Sequence, residues 1–369
     1  MLKVFKVKGF KNFSEEICLD FSKVNEDYDF RKNIIADNII TKSAIYGVNG
    51  SGKSNLGLAI FDIIQNLTDY NINNVEYQNY LSLDIPTKEA EFYYCFQIGK
   101  SLVEYKYIKL DLETLVFEEL KINGKIYIKF DRRIDSEPLF NFDEAKNLNR
   151  KIGNNKISAV KYAINNTLLA PNTTLKRFMK FISGMLFFKS VEGNRYIGYT
   201  VGSVNIGKYL VENNQLDGLN LFLKNLGIDY KIVVIDKNNK KDIGIYFEQT
   251  GNIVPFYEIA SSGTKDLVLL YFWLYRMNEM SFVYIDEFDA HYHFRLSQEI
   301  VKKLIELENV QIVVTTHTSS LISNRILRPD CYFKLENNEI KSLDELATRD
   351  LEEAHDIEKI FRAGGFDGK

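Results

Sequence analysis

From Leu2 to Phe21 apolar and polar side chains alternate around a bend at Gly9-Phe10-Lys11-Asn12-Phe13, with Ile17, Leu19 and Phe21 sharing one face. Alternation with a period of two predicts strands, because successive side chains of a pleated chain point to opposite sides. Two strands around a turn are therefore expected at the start. The pattern returns between Glu89 and Phe130: Phe92, Tyr94, Phe96 and Ile98 form one stripe, Val103, Tyr105 and Tyr107 another, and Asn123-Gly124 supplies the residues a tight hairpin favours. An antiparallel sheet is the natural assignment. Asp143 to about Leu226 reads as mostly helical, including the apolar stretch Phe178 to Phe188 and a helix around Leu216 to Leu226. The aromatics of that region, with Met179 and Met185, read as core. Tyr230–Ile235 and Ile243–Phe247 return to strand. There is no internal repeat, and no sustained heptad pattern that would build a coiled-coil arm.

One stretch breaks both periods. Gly47-Val48-Asn49-Gly50-Ser51-Gly52-Lys53-Ser54 has the spacing G-x-x-x-x-G-K-S. Ser43-Ala44-Ile45-Tyr46 before it reads as a buried strand, and Asn55 to Ile64, with Leu56, Ala59, Ile60 and Ile63 apolar, as a helix. Glycines let successive backbone N–H groups converge on phosphate oxygens where a Cβ would block them. Lys53 supplies charge for the β- and γ-phosphates, and the Ser54 hydroxyl is placed for Mg²⁺. ATP and Mg²⁺ are the expected ligands, with Gly47, Asn49, Gly50, Ser51, Gly52, Lys53, Ser54 and Asn55 around them.

Later segments add chemistry. Ser281-Phe282-Val283-Tyr284-Ile285-Asp286-Glu287 is an apolar strand ending in two carboxylates. Asp286 suits the water shell of the metal, and Glu287 suits polarisation of an attacking water. Upstream, Ala260-Ser261-Ser262-Gly263-Thr264-Lys265-Asp266 opens the helical run Leu267 to Met277, so its N–H groups form an anion site that fits the γ-phosphate of another subunit's nucleotide. An ordinary N-cap uses the same residue types, and the sequence leaves the two readings side by side. Gln311-Ile312-Val313-Val314-Thr315-Thr316-His317 is a second apolar strand, ending in a histidine able to bond the γ-phosphate or the water. Phe288-Asp289-Ala290-His291 lies where a subunit-contacting loop is expected. His291 and His293 lack an evident third ligand and read as solvated loop residues.

Composition narrows the class. The chain has 369 residues, 45% hydrophobic and 26% charged, with formal net charge −3, so no global excess of basic residues advertises nucleic acid. Cys18, Cys95 and Cys331 are widely spaced without C-x-x-C pairs, which fits reduced thiols in a cytoplasm. The first residues lack a signal-peptide core, and no apolar run reaches the length of a membrane span. A cytoplasmic protein with no membrane partner is expected.

Phosphate loop, Ser-Gly turn, acidic pair and strand-end histidine, in that order, resemble the ABC-type ATPases. The Phe10-Lys11-Asn12-Phe13 bend, the early antiparallel strands and Ser262-Gly263-Thr264-Lys265 in place of Leu-Ser-Gly-Gly-Gln resemble the soluble RecF/SMC/OLD-related branch. Within it the chain looks like the stand-alone ATPases of prokaryotic phage-defence operons, of the AbiL (RloA/RloB-like) type, with Septu and PARIS ATPases as cousins. The tail segments Glu345–Leu351, Ala354–Glu358 and Phe361–Phe366 also resemble that group.

The resemblance implies an α/β fold: an ABC-type P-loop ATPase head with an N-terminal antiparallel β subdomain and a mainly helical insertion. It implies an ATPase lobe over 1–135, the insertion over 136–250, a second ATPase lobe over 251–342 and a helical tail over 343–369. Lys53 and Ser54 become phosphate and Mg²⁺ residues, Asp286 the metal carboxylate, Glu287 the catalytic base and His317 the switch. Ser262 and Gly263 become the signature given to a second subunit, and Asp289 belongs to the subunit loop. Lys11 and Asn12 border the nucleotide. The lid glutamine has no assigned position, since Gln97 sits inside a strand pattern. The implied function is an ATP-gated homodimeric or larger switch that controls a separately encoded effector, a nuclease or toxin, in anti-phage (abortive infection) defence. The alternative is a RecF-like ATP-dependent DNA-binding and repair protein, which leaves nucleic acid open as a partner. A transporter subunit and an OLD-type nuclease fit less well, the latter because too few residues follow His317 for another catalytic domain.

Overall fold

The computed structural model describes residues 1–70, 76–153, 156–189, 195–198, 205–237, 240–289 and 294–367. Two seven-stranded sheets dominate them. The first is antiparallel and runs, edge to edge, Leu139–Phe140, Lys125–Asp131, Leu115–Ile122, Ser101–Lys109, Ala90–Ile98, Leu2–Lys8 and Ile17–Asp20. Its inner face carries the predicted stripe, with Phe92, Tyr94, Phe96, Val103, Tyr105 and Tyr107 all buried. The hairpin at Asn123-Gly124 has positive φ at both residues, 50° and 76°, as a two-residue loop matching the strand twist requires.

The second sheet runs Arg195–Gly198, Met185–Lys189, Phe282–Asp286, Gln311–Thr316, Lys42–Tyr46, Tyr332–Glu336 and Glu339–Ser342. Its five inner strands are parallel. The order decides everything about the site. The strand that feeds the phosphate loop (the cradle strand, Lys42–Tyr46) is separated from the acidic strand (Phe282–Asp286) by the histidine strand (Gln311–Thr316). All three end on the same side, where ligands of open parallel sheets bind.

The helix behind the phosphate loop, Lys53–Leu67, lies between the two sheets and is buried along almost its whole length. Toward the parallel sheet it comes close at Gly57, where a Cβ would sit 2.7 Å from Tyr284 and 2.8 Å from Phe187. There the Tyr284 hydroxyl donates to the Lys53 carbonyl at 2.7 Å. Toward the antiparallel sheet the hydroxyls of Tyr94 and Tyr77 donate to the carbonyls of Ala59 and Leu58. The helix is thus pinned from both sides, and its N-terminus with it.

The structure corrects the reading of Phe178 to Phe188. Helix Thr174–Ser183 stops at Gly184, and Met185–Lys189 is a strand of the parallel sheet beside the acidic strand. The cause is physical: a strand covered on both faces is a continuous apolar run, which periodicity cannot tell from a buried helix. The rest of the middle region holds helices Ala159–Asn165, Ile206–Glu212 and Leu216–Asn225, then a three-stranded antiparallel sheet of Lys231–Lys237, Lys240–Phe247 and Asn252–Pro255. The tail contributes helices Leu343–Leu346 and Ile357–Arg362. The second reaches back to the cradle strand, with Phe361 4.5 Å from the ring of Tyr46. Among the described residues, no helix is long and apolar enough to cross a membrane.

Candidate functional site

Backbone geometry explains the glycines of the cradle. Gly50 and Gly52 have φ of 82° and 102°, a region that side chains with a Cβ rarely enter. At Gly50 a Cβ would meet nothing within 4 Å, so that stretch of backbone faces open space. At Gly52 it would come within 2.6 Å of the Asn12 amide. Asn12 is the brace of the loop: its Oδ1 accepts from Asn55 at 2.6 Å, its Nδ2 donates to Asn338 Oδ1 at 3.1 Å, and Asn338 Nδ2 donates to its carbonyl at 3.0 Å. Lys11, also predicted near the nucleotide, has φ 49° and donates to the Gln78 carbonyl at 2.8 Å. Burial lowers its ammonium from the ordinary lysine value, with Glu76 opposing and Lys189 assisting.

Lys53 is folded onto its own loop, donating to the carbonyls of Gly47 at 2.6 Å and Val48 at 3.1 Å. Burial lowers its pKa, against the opposing pull of Glu287, Asp286 and Asp289. The buried Ser51 hydroxyl has no hydrogen-bond partner among the described residues, while Asn49 is exposed at the rim. A cradle with open space at Gly50, a lysine parked on carbonyls and an unpaired hydroxyl fits an anion.

Asp286 closes the acidic strand. Its Oδ1 accepts from the Thr315 hydroxyl at 2.8 Å, and Ser54 donates to the same carboxylate. Burial raises its pKa above the ordinary aspartate value, with the two hydroxyls opposing and Glu287 adding to the rise. Glu287 follows at φ 48°, its N–H donating to the same Thr315 oxygen at 2.8 Å. A left-handed glutamate is uncommon, and here it turns the chain at the strand end where chemistry is expected. Among the described residues no three His, Cys, Asp or Glu form a metal cluster. Ser54 and Asp286 instead offer the sparse oxygen set typical of Mg²⁺, which keeps water and phosphate ligands. The residues fit the ion.

Asp289, expected in the subunit loop, is buried. Its Oδ2 accepts from Thr316 at 2.6 Å and Thr318 at 2.8 Å, so it braces the loop that carries His317. His317 is exposed at the end of the histidine strand, between cradle and acidic pair. Ala290, His291 and His293 lie outside the described residues. The Ser-Gly turn stands apart. The helix is Ser262–Arg276 and its N-cap is Ser261, whose hydroxyl accepts from Thr264 N at 3.2 Å. Ser262 is exposed, and a Cβ on Gly263 would meet nothing within 4 Å. The structure thus gathers Asn12, Gly47 to Asn55, Asp286, Glu287 and His317. Among the described residues it gives Ser262 and Gly263 no hydrogen bond to that group. Thr315 and Asn338 went unread in the sequence. Polar residues closing an apolar strand were a usable sign of Thr315; nothing local marked Asn338.

The ionised Asp286 carboxylate is a cost to the empty fold. A folded-state pKa raised above the unfolded value means that folding binds the proton more tightly, so this contribution to stability falls as pH rises through that pKa. Asp286→Asn is therefore expected to melt higher than the parent at pH 7.5 without nucleotide, with the gap narrowing toward pH 4, and to lose stabilisation by Mg-ATP. Thermal melts with and without Mg-ATP check this; a lower melting temperature for the variant would refute it.

A family model described as "AAA domain, putative AbiEii toxin, Type IV TA system" matches residues 42–323. No curated protein matches the chain. Among solved structures it is similar to the Smc head bound to the C-winged helix domain of ScpA, with 14% identity, 92% of this chain and 97% of that chain covered, and a TM-score of 0.50. It is also similar to the SMC head domain from Thermotoga maritima, at 15% identity, 92% and 98% coverage and TM-score 0.43. The Smc head with an extended coiled coil, bound to the C-terminal domain of ScpA derived from Pyrococcus furiosus, follows at 13%, 93% and 97%, and 0.43. The likeness to the first is one of fold. The family match spans cradle, Ser-Gly turn, acidic pair and strand-end histidine, so the chain belongs to this AAA domain family.

Proposed function

We propose that the chain binds Mg-ATP and hydrolyses it in a pocket completed by a second copy, and that the resulting closing and opening of the pair controls a separately encoded effector in anti-phage defence. The observation that carries the ATPase reading is the meeting of the cradle, Glu287 and His317 at the ends of three neighbouring parallel strands. Lys53 exchanges the carbonyls of Gly47 and Val48 for β- and γ-phosphate oxygens. Ser54 and Asp286 hold Mg²⁺, which when bound neutralises phosphate charge. Glu287 accepts the proton of a water whose oxygen bonds to the γ-phosphorus, while the bond from that phosphorus to the ADP oxygen breaks. His317 contacts the departing phosphate. Sharing of the pocket is supported by an exposed Ser262 and an unobstructed Gly263 at a helix N-terminus, with no hydrogen bond to the cradle of its own chain. The defence role is supported by the family description, which names a toxin and a toxin–antitoxin system.

Complementation tests the shared pocket. Lys53→Ala destroys a cradle and Ser262→Arg destroys a turn, so each variant alone should lose ATP turnover. A mixed pair retains one intact combination, the cradle of the Ser262→Arg copy with the turn of the Lys53→Ala copy. Turnover should therefore recover on mixing. Failure to recover, with mixed pairs demonstrated by differential tagging, would rule out a pocket shared between copies.

A further inference from the structure

The parallel sheet has a fourth strand ending beside the site. Met185–Lys189 pairs in parallel with the acidic strand, and Lys189 stands opposite Asp286 in the register, as Phe187 stands opposite Tyr284. Paired residues of adjacent strands share a face, and so do residues two apart. Phe187 and Tyr284 both abut Gly57, so that face is the one covered by the cradle helix. Asp286 uses the same face to reach Ser54 at the N-terminus of that helix. Lys189 is thereby placed toward the same helix end. Its Nζ lies 2.5 Å from Glu76 Oε2, with 12% and 9% of the two side chains exposed. Lys11 completes the group, its ammonium sensing both Glu76 and Lys189.

We propose that Lys189 is a second nucleotide-binding cation, held by Glu76 in the empty chain and drawn by the terminal phosphate of ATP. The proposal rests on nucleotide binding at the cradle. Charge favours it: Lys53 faces Asp286, Glu287 and Asp289, and Lys189 also acts on Asp286, so a triphosphate brought there draws on both cations. Position favours it as well, since the cation stands on the strand next to the acidic pair, at the carboxyl end where such folds take ligands. A mostly buried ion pair contributes little net stability, because desolvation offsets the attraction. Exchange of Glu76 for a phosphate oxygen is then a swap between two charge-assisted hydrogen bonds. The swap breaks the Lys189 contact of Glu76, which lies in the segment that bonds Lys11 through the carbonyls of Gln78 and Tyr80. Terminal phosphate is thus read by the bend at Phe10 to Phe13.

Equilibrium binding of a non-hydrolysable ATP analogue and of ADP, each with Mg²⁺ and the full chain, tests this without turnover. Lys189→Met should weaken the ATP analogue about tenfold while leaving ADP within about twofold, and Lys189→Arg should keep the preference for the triphosphate. Glu76→Gln should tighten the ATP analogue and leave ADP unchanged. Equal effects on both nucleotides, or none, would overturn the role of Lys189. Should Lys189→Met fail to fold, Glu76→Gln decides, since an unchanged or weakened ATP analogue overturns the proposal. Wild-type protein that binds neither nucleotide would instead overturn the cradle reading on which it stands; loss of both in Lys53→Ala supports that reading.

Discussion

Glu287→Gln is expected to lower ATP turnover by about 10²–10⁴-fold, the usual contribution of a positioned general base, while nucleotide still binds. The amide matches the carboxylate in shape, and the turn at φ 48° is held by the backbone N–H bond to Thr315, which the substitution leaves in place. What disappears is the proton acceptor. With hydrolysis blocked and binding intact, copies closed around nucleotide should stay closed, so native mass should increase with Mg-ATP and fall back when the nucleotide is removed. Phosphate release and native mass are the two readouts. Turnover near the wild-type rate would remove Glu287 from the chemistry, and an unchanged mass would separate hydrolysis from assembly. The second result would leave an isolated nucleotide hydrolase.

What could be read from sequence was whatever sits close together along the chain. The cradle follows from glycine spacing, because the loop makes its own geometry and needs little from outside beyond Asn12. The acidic pair and His317 were legible as the polar ends of apolar strands. Their convergence was not, since it depends on the histidine strand inserting between the other two. Lys189 escaped for a related reason. Its strand is buried on both faces, has no period, and was merged with the preceding helix until Gly184 separated them. Gln97 lies in the antiparallel sheet, where its amide donates to the Gly99 carbonyl at 2.7 Å and its N–H to the Met1 carbonyl. Asn338 is a different case: it reaches Asn12 across 326 residues of chain, a contact with no local signature. The Ser-Gly turn kept both of its readings, with Ser261 as the cap and Ser262 exposed beside it.

Asp62→Ala should unfold this protein more easily than any substitution in the cradle. Asp62 is fully buried on the cradle helix and accepts 2.9 Å hydrogen bonds from Tyr80, Tyr107 and Lys109 of the antiparallel side. Lys109 is itself 1% exposed and lies 5.5 Å from the ring of Tyr80 and 5.8 Å from that of Tyr107. Removing the carboxylate strands that ammonium without its counter-charge and takes an acceptor from two buried hydroxyls, of which Tyr107 keeps the Tyr94 hydroxyl at 3.1 Å. Loss of one partner of a buried pair costs about 3–5 kcal/mol. The same helix presents Lys53 and Ser54 at its N-terminus, so loosening its far side should also weaken nucleotide binding. Removing both charges distinguishes a general packing role from the ion pair: Asp62→Leu with Lys109→Met should recover most of the stability, since apolar replacement of a buried pair is often neutral or better. Guanidinium unfolding of the single and double variants measures this. A single-variant loss below about 1 kcal/mol, the scale of an exposed pair, would mean that the helix is held by its apolar contacts alone.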